Sequence, residues 1–250
     1  IEAASGGRRW SELEAALRNS ANPLPACDTL PLLAHSLKMR GDLANADTIY
    51  RKAIALHESQ PASAGEIFRH LILAGEWALV RENLAMLFQD PAFALDNFKF
   101  LVPLVRSQRD SQHLFEFLEG AIKSPSLQNE PLVLDSFDNT KLILKKPVSL
   151  VELESRANQY PGDIHYRMTY VLGLLCEGRK AKAIFELENG DQRVNPASQE
   201  PWQKAIFASV LAANDRLTEA QSLAAAIPQG SLTTQEAALL SSFLSTSARN

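Results

Sequence analysis

Apolar and small side chains recur along the chain with the three-and-four spacing of one helical face, in paired stretches separated by a short polar break. The clearest pair runs from Cys27 to about Gln60. Leu30, Leu33, Ala34 and Leu37 precede a break at Gly41-Asp42-Leu43, and Ala46, Tyr50, Ala53 and Leu56 follow it. Each set lines one face of a helix, and the Gly-Asp between them supplies a tight turn, so the segment is predicted to be a helical hairpin. The pattern then returns. With Ala46 as landmark, the equivalent positions are Val80, Leu114, Val148, Ala183 and Ala220, at spacings of 34, 34, 34, 35 and 37 residues. Breaks at Gly75-Glu76-Trp77, Arg109-Asp110-Ser111, Gly178-Arg179-Lys180 and Asp215-Arg216-Leu217 precede four of these landmarks. In the fourth unit the landmark spacing survives, Pro131 is placed to start one helix, and Ser149 is placed to cap the next.

A period of this length with a helix-turn-helix pattern in each unit resembles the tetratricopeptide repeat (TPR) family. In the best unit Leu33, Ala34, Leu37, Gly41, Ala46, Tyr50 and Ala53 fit its motif, while the usual Trp near the repeat start is Leu30. The resemblance implies an all-α fold: an α-solenoid, a right-handed superhelix of about six TPR-like hairpins with an N-terminal helix and a C-terminal capping helix. The implied organisation is a single domain over residues 1–250. Residues 6–26 form a half repeat, 27–60, 61–94, 95–128, 129–163, 164–200 and 201–230 the repeats, and 231–250 the cap.

The two ends and the prolines refine this parsing. Gly6-Gly7-Arg8-Arg9-Trp10 resembles the turn at Gly75-Glu76-Trp77, Ser11-x-x-Glu14 reads as a capping box, and Leu13 and Leu17 match inward positions of a second helix. The chain is therefore expected to open in mid-repeat, with further sequence, including any targeting signal or membrane anchor, upstream of Ile1. The alternative is a free-standing N-terminal helix. At the other end, residues 233 to about 245 are predicted to form one helix with Ala237, Leu240, Phe243 and Leu244 inward. Pro91, Pro125, Pro161, Pro196 and Pro228 fall near repeat boundaries, whereas Pro103 sits inside a predicted helix and is expected to kink it or delay its start.

Composition narrows the chemistry. With 46% hydrophobic and 22% charged residues the chain is globular in character, and 25 Lys and Arg against 29 Asp and Glu give a net charge of −4. That balance offers no global attraction to phosphate backbones, so nucleic acid is not an expected partner. The apolar runs fall far short of the roughly 20 residues of a spanning helix, so no membrane span is expected. Cys27 and Cys176 lie in apolar surroundings and read as buried structural thiols. No nucleophile elbow, phosphate loop, dinucleotide turn or H-E-x-x-H helix is present, and no two of His35, His57, His70, His113 and His165 are spaced to ligate a metal from one helical face. The reading is a protein that is not an enzyme, with no catalytic residues, no metal ligands and no cofactor.

The resemblance implies instead a binding surface: the concave groove built by the first helix of each repeat. Its contact positions fall on Asp28, His35, Lys38 and Met39, then Arg69, Ile72 and Leu73, then Asp96, Lys99, Arg106 and Ser107. Further along they fall on Glu130, Phe137, Thr140 and Lys141, then His165, Met168, Leu172 and Leu175, then Trp202 and Ser209. The candidate groove residues are His35, Lys38, Arg69, Lys99, Arg106, Lys141, His165 and Trp202, a lining basic at first and more apolar beyond. The family's carboxylate clamp for chaperone tails is not reproduced, since its paired positions read Pro31 and His35, Gly65 and Arg69, or Lys99 and Pro103. The expected function is a non-catalytic interaction scaffold for a peptide or partner protein with acidic character, with self-association through exposed ends as a further expectation. The alternative is the partner- or substrate-recruiting region of a larger enzyme whose catalytic domain lies upstream.

Overall fold

The computed structural model describes residues 10–13, 15–17, 24–188 and 194–244. All regular structure among the described residues is helical, with no strand. The helices are α1 (Ala26–Met39), α2 (Leu43–Ala55), α3 (Ala64–Leu73), α4 (Trp77–Glu82), α5 (Leu84–Leu87), α6 (Pro91–Ser107), α7 (Ser111–Lys123), α8 (Pro131–Ile143), α9 (Leu150–Gln159), α10 (Ile164–Cys176), α11 (Lys180–Glu188), α12 (Pro201–Ala213), α13 (Leu217–Ala225) and α14 (Thr234–Leu244). Among the described residues no helix is long and apolar enough to cross a membrane. Of the proposed N-terminal features, the turn through Arg9 and the capping partner Glu14 lie outside the described residues.

The hairpins share one turn. A residue in the left-handed region follows the first helix at Gly41, Gly75, Arg109, Lys145, Gly178 and Asp215. In each case its N–H donates to the carbonyl three residues back, at 2.9 to 3.1 Å. In five of the six the next N–H reaches the carbonyl five residues back, as from Asp42 to Leu37 at 3.0 Å and from Lys146 to Lys141 at 2.8 Å. This is the Schellman closure, which occupies carbonyls that a helix end would otherwise leave without donors. Glycine holds that conformation without strain, but Lys145 is exposed and holds it at φ 57°. Lys145→Gly is expected to stabilise the chain by roughly 0.5 to 1 kcal/mol, seen as a higher urea midpoint at unchanged slope.

Packing divides into two compact units, residues 1–104 with 123–127, and residues 105–122 with 128–250. In the first unit, α1 packs on α2 and also on α3. Ala34 and Ala53 are fully buried, which lets helices approach closely, and Tyr50, Ile67, Phe68, Leu71, Val80, Phe98 and Leu101 fill the core. At Gly65 a β-carbon would lie 2.6 Å from Asn97 Oδ1, so a side chain there would displace the Asn97 amide, which donates to the Leu87 carbonyl at 3.3 Å. The helix after the second turn is broken in two. Asn83 leaves the helical conformation at φ −114°, ψ 11°, and its amide donates to the Leu79 carbonyl at 2.9 Å, competing with the backbone ladder.

In the second unit, α8 packs on α10, α10 on α12 and α12 on α14, with α11 and α13 each against its hairpin partner and α9 against α10, the first helix of the next hairpin. Met168, Val171, Leu172, Leu174, Ala205, Ile206, Ala208 and Val210 are at most 1% exposed and form the centre of its core. Equivalent positions of successive first helices meet: the Thr169 hydroxyl donates to Asp135 Oδ2 at 2.9 Å across α10 and α8.

Three expectations are corrected. Helix α6 starts at Pro91 and runs through Pro103, so that proline does not delay it. Cys27 is half-buried and Cys176 exposed, because Cys176 closes α10 beyond its last buried turn. Helix α14 forms where predicted, but its inward face is Thr233, Glu236, Leu240 and Phe243, while Ala237 and Leu244 are exposed. The buried stripe is rotated because Glu236, polar by composition, finds partners inside.

Candidate functional site

Thr233 and Glu236 form a capping box at the start of α14: Thr233 N–H donates to Glu236 Oε2 at 2.9 Å, and Glu236 N–H donates to Thr233 Oγ1 at 3.2 Å. The remaining Glu236 oxygen accepts from the Arg106 guanidinium near the end of α6. Around this pair, the Ser111 hydroxyl donates to Thr233 Oγ1 at 2.8 Å, Thr234 N–H donates to the Arg109 carbonyl at 3.2 Å, and Arg109 Nε donates to the Gly230 carbonyl at 2.8 Å. In a simple solenoid each repeat touches only its neighbours. Here, within one unit, residues 106–111 are joined directly to residues 230–236.

Three candidate groove residues gather beside that junction. The Arg106 guanidinium lies 5.4 Å from the Trp202 ring centre, and the His165 ring lies 5.8 Å from it. Trp202 is buried at 7% exposure, its indole N–H donating to Glu200 Oε2 at 2.7 Å, and His165 Nδ1 lies 3.1 Å from Asp163 Oδ1. Lys141, also in the second unit, pairs with Asp138 at 3.7 Å and lies 5.5 Å from the Phe137 ring centre. The groove positions Met168, Leu172 and Ser209 are buried, and Ser209 Oγ donates to the Leu239 carbonyl of α14 at 3.3 Å. The unit's own helices thus cover what a periodic projection assigns to an open face.

The other four candidates belong to the first unit. His35 is half-buried, with Nδ1 lacking a hydrogen-bond partner and Trp10 packed edge-on at 5.1 Å. Burial, and then the nearby Lys38, hold its pKa below the ordinary histidine value, so it is neutral at pH 7. Lys38 Nζ pairs with Glu76 at 2.6 Å and Arg69 with Glu66 at 3.2 Å. Lys99 is exposed and, among the described residues, has no ion-pair partner. Most of the projected positive charge is therefore already neutralised by the chain's own carboxylates.

The first helices of this unit also expose large apolar side chains. Met39 and Leu73, the last residues of α1 and α3, are 52% and 53% exposed, and Phe100, beside Lys99 on α6, is 47% exposed. One cluster escaped a reading that looked only for paired histidines: Asp28 on α1 lies with Glu66 and His70 on α3, their ligand atoms all within 4.8 Å of one another. Glu66 and His70 are one helical turn apart, which is the signal that could have found them. In the second unit a pocket of about 450 Å³ has an apolar floor of Val194, Phe207, Leu211 and Leu223 under the charged rim Glu188, Lys204, Arg216 and Glu219. No histidine or cysteine lines it among the described residues, and Arg216 ties its rim together through Glu188 and Glu219. The chain matches no protein-family model, and no curated protein or solved structure is significantly similar to it.

Proposed function

We propose that this chain is a TPR-like helical-repeat scaffold without catalytic activity, binding a peptide or partner protein on the first helices of its N-terminal unit. Support for the repeat reading comes from the left-handed turn recurring about every 33 to 37 residues and from first helices that pack on one another. The observation that carries the binding reading is the exposure of Met39 and Leu73 at the same place on two neighbouring helices, with Phe100 and the exposed Lys99 on α6. Large apolar side chains held on rigid helices act as preorganised anchor points, because the scaffold loses little freedom on binding.

The partner that suits this surface has apolar anchors and an acidic residue for Lys99. Its acidic character is secondary, since Lys38 and Arg69 are occupied by Glu76 and Glu66. A displayed library of random peptides about 15 residues long, panned on the immobilised protein, should yield a shared pattern of two or more spaced apolar residues with at least one acid. Selection of basic peptides, or of none, would count against the proposal.

A further inference from the structure

We propose that Asp28, Glu66 and His70 form a mononuclear site for a divalent transition-metal ion of the zinc class, clipping α1 to α3. One ligand atom from each side chain lies within 4.8 Å of the other two, and His70 Nε2 stands 2.9 Å from Asp28 Oδ1. Bonds of about 2.0 to 2.1 Å in tetrahedral geometry put ligand atoms roughly 3.3 Å apart, so adjustments of an ångström or so in two carboxylate side chains complete the site. The backbone already supplies the framework. Glu66 and His70 project one turn apart from the same helix, and Asp28 comes from a helix packed against it.

The donor set selects the ion. One imidazole with two carboxylates suits zinc, cobalt and manganese, whereas magnesium and calcium prefer oxygen alone. The side chains of His70 and Asp28 are 13% and 29% exposed, so solvent reaches the site, and three protein ligands leave a fourth tetrahedral position for water. Arg69 is a cation beside the cluster, 3.2 Å from Glu66 Oε2, so the ion pair engages one oxygen of that carboxylate. The His70 to Asp28 hydrogen bond gives way to two bonds to the metal when it binds.

Titration of tag-free, chelator-treated protein with Co²⁺ tests this without any partner, so its outcome is separate from that of the peptide selection. One equivalent is expected to bind with half-saturation below about 100 µM, giving visible ligand-field bands that Zn²⁺ abolishes. Asp28→Asn and His70→Ala, each shown by circular dichroism to retain helix content, should weaken binding at least about tenfold, and Glu66→Gln should behave alike. Zn²⁺ should raise the melting temperature of the wild-type protein and not of His70→Ala. The proposal is overturned by absence of saturable Co²⁺ binding below about 1 mM, by binding that survives all three substitutions, or by Mg²⁺ competing as well as Zn²⁺.

Discussion

Glu236→Ala is expected to cost about 3 to 4 kcal/mol. The side chain is 4% exposed and does two jobs at once, accepting from Arg106 and from the Thr233 N–H that starts α14. Its removal leaves the Arg106 charge, on a side chain only 20% exposed, without its carboxylate, and releases the capping box. Glu236→Gln keeps the cap geometry and loses only the charge, so it should cost about half as much. The double replacement Arg106→Met with Glu236→Leu removes both charges together and should recover most of the loss. Thermal and urea denaturation of wild type, Arg106→Met, Glu236→Leu and the double variant closes a double-mutant cycle. Additive effects in that cycle would mean that Arg106 and Glu236 stabilise the unit separately.

Asp135 carries the second large effect, and it appears as pH dependence. The carboxyl is 3% exposed, with Oδ1 lacking any hydrogen-bond partner and only the Thr169 hydroxyl on Oδ2. Burial pushes its pKa up to about 7, and the neighbouring Asp138 adds to this; the Thr169 hydrogen bond and the positive charge of Arg156 and His165 pull the other way and are outweighed. Because the folded pKa lies above the unfolded value, the native chain holds a proton here that the unfolded chain releases between about pH 4 and pH 7. The resulting stabilisation is complete below pH 4, declines through that window and is gone above it. Asp135→Asn keeps the hydrogen bond from Thr169 and has no charge to bury. Its advantage over wild type should grow from near zero at pH 4 to on the order of 2 to 4 kcal/mol at pH 8. Parallel stability profiles for the two proteins would show that Asp135 titrates normally.

Where local chemistry decides, the sequence is informative. Gly41, Gly75 and Gly178 mark left-handed turns because glycine tolerates them, and Asp215 is legible for a related reason, a short polar side chain in a break. Lys145 adopts the same conformation, but nothing about lysine advertises it. Thr233-x-x-Glu236 is a capping-box signature of the kind sought at Ser11-x-x-Glu14, yet periodicity places Glu236 outside because its partner Arg106 lies 130 residues away. The same limit applies to the candidate groove. Projection identifies which helical positions face one way, and cannot tell that Lys38 meets Glu76 or that α14 covers Ser209. Distant pairings decide which charges remain available to a partner.

The scaffold reading is tested most directly by fluorescence-anisotropy titration of the best selected peptide against four proteins. These are wild type, the double variant Met39→Asp with Leu73→Asp, Lys99→Glu, and a control, Val151→Asp, which alters a residue 75% exposed in the other unit. The prediction is a loss of about tenfold or more for the double variant, a few-fold loss for Lys99→Glu and wild-type affinity for the control. Equal affinity for all four proteins would contradict binding on the first helices of the N-terminal unit.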